Sequence, residues 1–161
     1  MAIDPIPQVG ITRVIGLLQV LDDAGGRHDV FRLTREVNFE FGEMLKVVKA
    51  AEMLDLVVTP GGDVVLTAIG KELLRGKVNA RKKVMKAQVQ KLALFRTVLE
   101  TLEKAEEKRA DEATFLELFA NQLPAEDAEA LLKTVVDWGR YAELLGYNPD
   151  DRVIYLDHGE A

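Results

Sequence analysis

Residues 56–67 read Leu-Val-Val-Thr-Pro-Gly-Gly-Asp-Val-Val-Leu-Thr. Two runs rich in β-branched residues flank the segment Pro60 to Asp63. Proline presets the φ angle of a turn, and glycine accepts the positive φ that a tight reversal requires. The stretch therefore predicts a β-hairpin, at a point where a helical pattern changes to an extended one.

Three helical segments precede this hairpin. Residues 11–23 place apolar side chains on one helical face, and Gly25-Gly26 ends that helix. Asp29 is a candidate N-cap for a short helix to about Val37, and a third helix is expected over about 41–54. The order helix, short helix, helix, hairpin is that of a winged helix, with a helical bundle carrying an added hairpin as the alternative.

The second half repeats this order after about 85 residues. We expect one continuous helix over 79–108, helices over 113–121 and 125–138, and strands over 141–147 and 152–156. The predicted fold is mainly α with short β-hairpins (α+β), arranged as tandem winged-helix or helix-turn-helix units. The first unit covers 1–76, and the second covers 77–161 with a long N-terminal connecting helix. A heptad-like seam on that helix leaves a structural homodimer open (Leu92, Phe95, Leu99 and Leu102).

The net charge of −6 is unevenly distributed. Residues 76–91 hold six basic and no acidic side chains, whereas residues 92–161 hold seven basic and sixteen acidic ones. The basic band is either a solvated helix face or a contact for an acidic surface, on a partner or on the C-terminal half of this chain. Its candidate partner-binding residues are Arg81, Lys82, Lys83 and Lys86.

The composition argues against an enzyme. The chain has no cysteine and no serine, so the usual acyl-transfer nucleophiles are missing. Its Gly-Lys pairs lack the spacing of a phosphate-binding loop, and its carboxylate pairs lie in turns or polar helix ends. His28 and His158 stand apart in polar contexts. We therefore expect no catalytic residues, no cofactor and no metal site.

DNA binding by the first unit is a disfavoured alternative. The residues available for it are Arg32, Arg35, Lys46 and Lys49, on the second and third helices. Acidic residues are mixed among them, and the corresponding helix at 125–138 is acidic enough to repel phosphate.

Aromatic residues cluster where the last helix meets the second hairpin. Trp138 either anchors the core there or forms a protein-binding patch with Arg140 and Tyr141, since Trp, Tyr and Arg dominate binding hot spots.

Four stretches carry a family resemblance: IGLLQVLDDAGG (15–26), VKAAEMLDL (48–56), LTAIGK (66–71) and VDWGRYAELLGY (136–147). They resemble the C-terminal AAA-associated domain over about residues 11–156. That domain follows the ATP-binding subunit of ABC importers of the nitrate, sulfonate and taurine type, and it also has free-standing relatives. The segment DWGRYAEL is the most specific part of the resemblance.

The resemblance implies a regulatory accessory module rather than an ATPase. No Walker A, signature or Walker B stretch is present, and the family carries no assigned catalytic residues. The implied partner is the ATP-binding subunit of an ABC transporter, reached in cis from a longer chain or in trans. The implied location is the cytoplasm, at the inner face of the membrane through the transporter. No apolar run approaches the length of a membrane span, so no direct insertion is expected.

Overall fold

The computed structural model describes residues 5–157 of the protein. Its helices are α1 (Ile11–Asp23), α2 (Val30–Glu36), α3 (Phe41–Met53), α4 (Ala68–Arg75), α5 (Val78–Val89), α6 (Ala93–Lys104), α7 (Glu112–Ala120) and α8 (Ala125–Tyr141). Its strands are β1 (Arg27–Asp29), β2 (Val57–Val58), β3 (Asp63–Leu66), β4 (Arg109–Asp111), β5 (Leu145–Asn148) and β6 (Val153–Leu156). The predominance of helix and the small antiparallel sheets confirm the α+β class.

The described chain separates into two compact units. The N-terminal unit is Val9–Met85, and the C-terminal unit is residues 86–157 with residues 5–8. The division falls inside α5. The domain boundary predicted at residues 76/77 stays a prediction, because compactness does not show where an independently folding domain ends.

In the N-terminal unit, the predicted hairpin is present as β2 and β3. Val57 pairs with Leu66 and Val58 with Val65 in antiparallel register. The predicted cap of α2 is also confirmed, because the Asp29 carboxylate accepts the backbone N–H groups of Phe31 and Arg32 at 3.0 and 3.1 Å. The stripe of α3 that the sequence places inward is buried (Met44, Val47, Val48, Ala51 and, at the helix end, Leu54).

The C-terminal unit repeats the element order of the N-terminal unit. The β5–β6 pair is the second predicted hairpin, and the sheet order β4-β6-β5 matches the order β1-β3-β2 of the first sheet. The Trp138 ring stacks on the Phe95 ring of α6, with centroids 6.4 Å apart, and both side chains are fully buried.

Helices α3 and α8 end in the same turn. Asp55 has φ 59°, and the N–H of Leu56 donates to the Ala51 carbonyl at 2.9 Å. Glu143 has φ 56°, and the N–H of Leu144 donates to the Gly139 carbonyl at 2.9 Å. This closure satisfies a helix-end carbonyl and redirects the chain. It makes Asp55 and Glu143 equivalent, so positions in α3 and α8 correspond at a difference of 88 in residue number.

The sequence analysis missed the first strand of each sheet. β1 and β4 have three residues each, and most of these are charged. Arg27 pairs with Val65 in one sheet, and Arg109 pairs with Tyr155 in the other. Such short polar segments carry no hydrophobic alternation, so only tertiary pairing identifies them as strands.

The prediction of one continuous helix over 79–108 is wrong. α5 ends at Val89 and α6 begins at Ala93, with Leu92 extended at φ −68° and ψ 135°. The Arg96 side chain donates to the Lys91 carbonyl at 2.9 Å across the break. No glycine or proline marks this break, so packing overrides local helix propensity. The seam residues themselves lie on α6 and at its N-cap, where Phe95 and Leu102 are fully buried and Leu92 and Leu99 are half-buried. The structural homodimer stays a prediction.

The strand predicted over 141–147 is too long. α8 continues through Gly139 to Tyr141, and β5 begins only at Leu145. A Cβ atom at Gly139 would lie 2.5 Å from the Leu145 Cγ. Gly139 is therefore a point of close packing between the helix and the strand, not the residue that ends the helix.

Gly70 offers a test of close packing in the N-terminal unit. Gly70→Ala would press a Cβ against the backbone carbonyl oxygen of Leu56, which cannot rotate away. We expect the free energy of unfolding to fall by ~1–3 kcal/mol, measured by urea denaturation. Gly16→Ala in α1 is the matched control, because nothing lies within 4 Å of the added methyl. That change should raise stability by about 0.5–1 kcal/mol. Equal stability of the two variants would contradict this packing.

Candidate functional site

The C-terminal unit has a groove of about 590 Å³ beside α7, α8 and the second hairpin. Its volume lies within the range of small-molecule sites. Leu116, Leu132 and Val136 form its apolar part. The polar residues are Glu112, Glu129, Lys133, Tyr147 and Arg152.

Tyr147 and Glu112 are joined across this groove. The Tyr147 hydroxyl donates a hydrogen bond to Glu112 Oε1. This bond, burial of the hydroxyl and the negative charge of Glu112 raise the pKa of Tyr147 above its usual value, against a smaller lowering by Arg152. The protonated phenol thus links β5 to the start of α7 through this hydrogen bond.

The N-terminal unit has a groove of about 400 Å³ at the equivalent place, beside α3 and the first hairpin. Lys49 and Glu52 contribute to it from α3. The Thr59 hydroxyl donates to the Glu52 carboxylate at 2.6 Å, and Arg27 pairs with Asp63 at 2.7 Å. Both carboxylates that line this groove therefore have partners inside the unit.

An apolar surface borders this groove. Phe31 of α2 is 61% exposed, and Phe41 and Leu45 of α3 are 41% and 47% exposed. The rings of Phe31 and Phe41 are stacked, with centroids 5.1 Å apart and planes 4° from parallel. Because Phe41, Leu45 and Lys49 are spaced by four residues, they lie in one stripe along the helix. The sequence analysis missed Phe31, Phe41 and Leu45 as surface residues.

The equivalent stripe of α8 is charged. At the difference of 88 in residue number, Phe41 corresponds to Glu129, Leu45 to Lys133, and Lys49 to Asp137. All three residues of α8 are exposed. The two units thus present different chemistry on the same helix face.

The four candidate DNA-binding residues are exposed on α2 and α3. Lys46 pairs with Glu43 at 3.5 Å. Within residues 5–157, no ion pair is formed by Arg32, Arg35 or Lys49. The structure brings Lys49 to the groove, whereas Arg32 and Arg35 lie on the helix that carries Phe31.

The four candidates of the basic band lie on α5. Arg81 is tied to the backbone, because its Nε donates to the Gly76 carbonyl at 2.9 Å and its Nη2 to the Leu74 carbonyl at 3.2 Å. It therefore satisfies carbonyls at the end of α4, a role that the charge pattern did not reveal. Lys82 and Lys86 are half-buried, and Lys83 is exposed.

The aromatic candidates separate by burial. Trp138 is fully buried, so its assignment to a partner-binding patch is wrong, because a side chain inside the core cannot meet a partner. Its stacking on Phe95 gives it the core role that was the alternative. Arg140 is exposed and Tyr141 is half-buried.

The sequence profile of the C-terminal AAA-associated domain matches residues 31–148, most of the chain. The chain belongs to this family. Comparison with curated proteins and with solved structures finds no match. In this AAA-associated domain the matched range runs from α2 to the end of β5, and so includes residues of both units.

The described residues contain neither a cluster of metal-ligating side chains nor a membrane-spanning helix. Among residues 5–157, no three His, Asp or Glu side chains are grouped as metal ligands would be. His28 contacts the Glu36 carboxylate at 3.0 Å, and His158 lies outside the described residues. None of the helices in the described part of the AAA-associated domain has both the length and the apolarity needed to cross a membrane.

Glu112→Gln should lower the pKa of Tyr147 towards its usual value, because the charged acceptor is removed. Since the folded state raises this pKa, the folded chain holds the proton more tightly than the unfolded chain. The stability that comes from this difference is present below pH ~10, and it is lost as the pH rises through the pKa of Tyr147 in the folded chain. The loss should be smaller in the variant.

Spectrophotometric titration of tyrosinate, with chemical denaturation at the same pH values, measures both effects. Glu117→Gln, on the exposed surface of α7, is the matched control. Identical titrations for Glu112→Gln and the wild type would contradict the hydrogen bond.

Proposed function

We propose that this AAA-associated domain is a non-catalytic accessory module that binds the ATP-binding subunit of an ABC transporter in the cytoplasm and regulates it. Family membership supports the association with such ATPases. The resemblance to domains that follow the ATP-binding subunits of nitrate-, sulfonate- and taurine-type importers supports the class of transporter. The contact is made in cis or in trans.

We also propose that each unit is a winged helix. In each one a helix, a short strand, two helices and a hairpin follow one another, and the third strand in sequence lies between the other two. A helix-turn-helix with a β-ribbon has this order. In that fold α3 and α8 take the place of the recognition helix.

The observation that best supports binding to a protein is the exposed stripe of α3. A helix that reads DNA presents Arg, Lys, Asn or Gln to the base edges. The first two members of this stripe are instead Phe41 and Leu45, and Glu40 precedes them. Exposed aromatic and aliphatic side chains gain more from contact with protein than from contact with phosphate.

The absence of catalysis is supported by composition and by the larger groove. The chain offers no serine or cysteine nucleophile. A tyrosine is already protonated near neutral pH, and the raised pKa of Tyr147 in the C-terminal groove makes this phenol still less suited to act as a base there.

The purified chain should bind a purified ATP-binding subunit of a nitrate-, sulfonate- or taurine-type importer with about micromolar affinity. It should also change that subunit's rate of ATP hydrolysis. Isothermal titration calorimetry and phosphate release measure these effects, with the ATP-binding subunit of an ABC exporter as the control.

Binding to duplex DNA provides the contrasting measurement. We expect no retention on DNA at low salt. Retention whose affinity falls with salt at a log–log slope of several units, together with no binding to the ATPase, would overturn the proposal in favour of a DNA-binding regulator.

A further inference from the structure

The two units provide an internal comparison. Their helices α3 and α8 end in the same closure and precede the same kind of hairpin. The α8 stripe of Glu129, Lys133 and Asp137 alternates in charge, as a solvated helix face does. Because the same fold tolerates a charged stripe at these positions, the fold itself does not require Phe41 and Leu45 on the surface of α3.

The apolar residues of the N-terminal unit form one surface rather than scattered exposures. The stacked rings of Phe31 and Phe41 connect α2 to α3, and Leu45 lies one turn further along. Leu45 also lines the 400 Å³ groove, together with Val30 and Val48. A flat aromatic pair beside an apolar groove is suited to receive the apolar face of a helix.

The cations and the carboxylates around this surface differ in whether they have a partner inside the unit. Glu36, Glu43 and Glu52 each have a partner within the unit. Among the described residues, Arg32, Arg35 and Lys49 form no ion pair, and Glu40, the residue before α3, forms none either. Carboxylates of a partner can therefore pair with Arg32, Arg35 and Lys49 without displacing an internal ion pair, which favours a partner that presents carboxylates.

We propose that this surface docks an acidic amphipathic helix of a partner protein. We call it the α2–α3 face and define it as Phe31, Phe41 and Leu45 with Arg32, Arg35 and Lys49. Apolar side chains of the partner helix pack on the aromatic pair and enter the groove beside Leu45. The carboxylates of the partner helix form ion pairs with Arg32, Arg35 and Lys49. The inference rests on the proposed function and adds the surface and the chemistry of the partner.

The test uses the full chain and two designed peptides of about 18 residues, or five helical turns. Both carry leucines at i, i+3, i+4 and i+7, and their other positions are Glu in one peptide and Lys in the other. In ¹⁵N-HSQC titrations the Glu peptide should shift amide signals of α2, α3 and the first hairpin. Its affinity should exceed that of the Lys peptide by at least about tenfold.

Paired substitutions locate the contact. Phe41→Ala with Leu45→Ala should weaken binding of the Glu peptide by at least about tenfold, because the central apolar contacts are removed. Glu129→Ala with Lys133→Ala makes the equivalent change on α8 and should leave the affinity unchanged. Circular dichroism melts of both variants check that the chain remains folded, and Leu45→Lys alone is a second variant that keeps the aromatic stack.

Several results would overturn the inference. One is that the Glu peptide does not bind, and another is that the two peptides bind equally. A third is that the Phe41→Ala, Leu45→Ala double variant and the Leu45→Lys variant both keep the wild-type affinity. If duplex DNA shifts the amide signals of the α2–α3 face, the occupant of this face is DNA and not an acidic helix. If raising the protein concentration without peptide shifts them, the occupant is a second copy of the chain. If the ATP-binding subunit binds wild type and variant equally, the docking role of the α2–α3 face is contradicted and the proposed function is retained. If the chain binds the Glu peptide but not the ATP-binding subunit, the docking role is retained and the proposed function is contradicted.

Discussion

The last turns of α3 and α8 are closed by backbone hydrogen bonds from Leu56 to Ala51 and from Leu144 to Gly139. Each closure requires one residue with positive φ, which is Asp55 in one unit and Glu143 in the other. Because the chain reverses there, the hairpin returns beside the helix it has just left, and a groove forms between them.

With the backbone set in this way, the two units differ through their side chains. The groove of the C-terminal unit has polar side chains from α7, α8 and the second hairpin beside its apolar part, and it contains the Tyr147–Glu112 hydrogen bond. The N-terminal unit combines an exposed aromatic pair, an exposed leucine and basic side chains that form no ion pair. One unit thus has a surface typical of a solvated domain, and the other has a surface suited to a protein partner. This division of roles agrees with an accessory domain that uses only part of its duplicated structure to bind.

Sequence reasoning predicted the features that local chemistry determines. The turn at Pro60, the Asp29 cap and the buried stripe of α3 all follow from residue type and spacing. It could not predict β1 and β4, whose strand structure depends on pairing with distant residues, or the break at Leu92, which no helix-breaking residue marks. Trp138 was ambiguous because sequence gives residue type but not burial. Phe41 and Leu45 were missed because an apolar residue in a helix is usually assigned to the core. The signal that could have placed them on the surface was their spacing of four residues, which lies away from the buried stripe.

The central claim is that the side chains on the exposed stripe of α3, and not the fold, provide the partner-binding surface. The most direct measurement is the affinity of the acidic amphipathic peptide for a chain with Phe41→Glu and Leu45→Lys, the residues that α8 has at the equivalent positions. The account predicts a loss of affinity of at least about tenfold with a free energy of unfolding within ~1 kcal/mol of wild type. Wild-type affinity in this folded variant would contradict it.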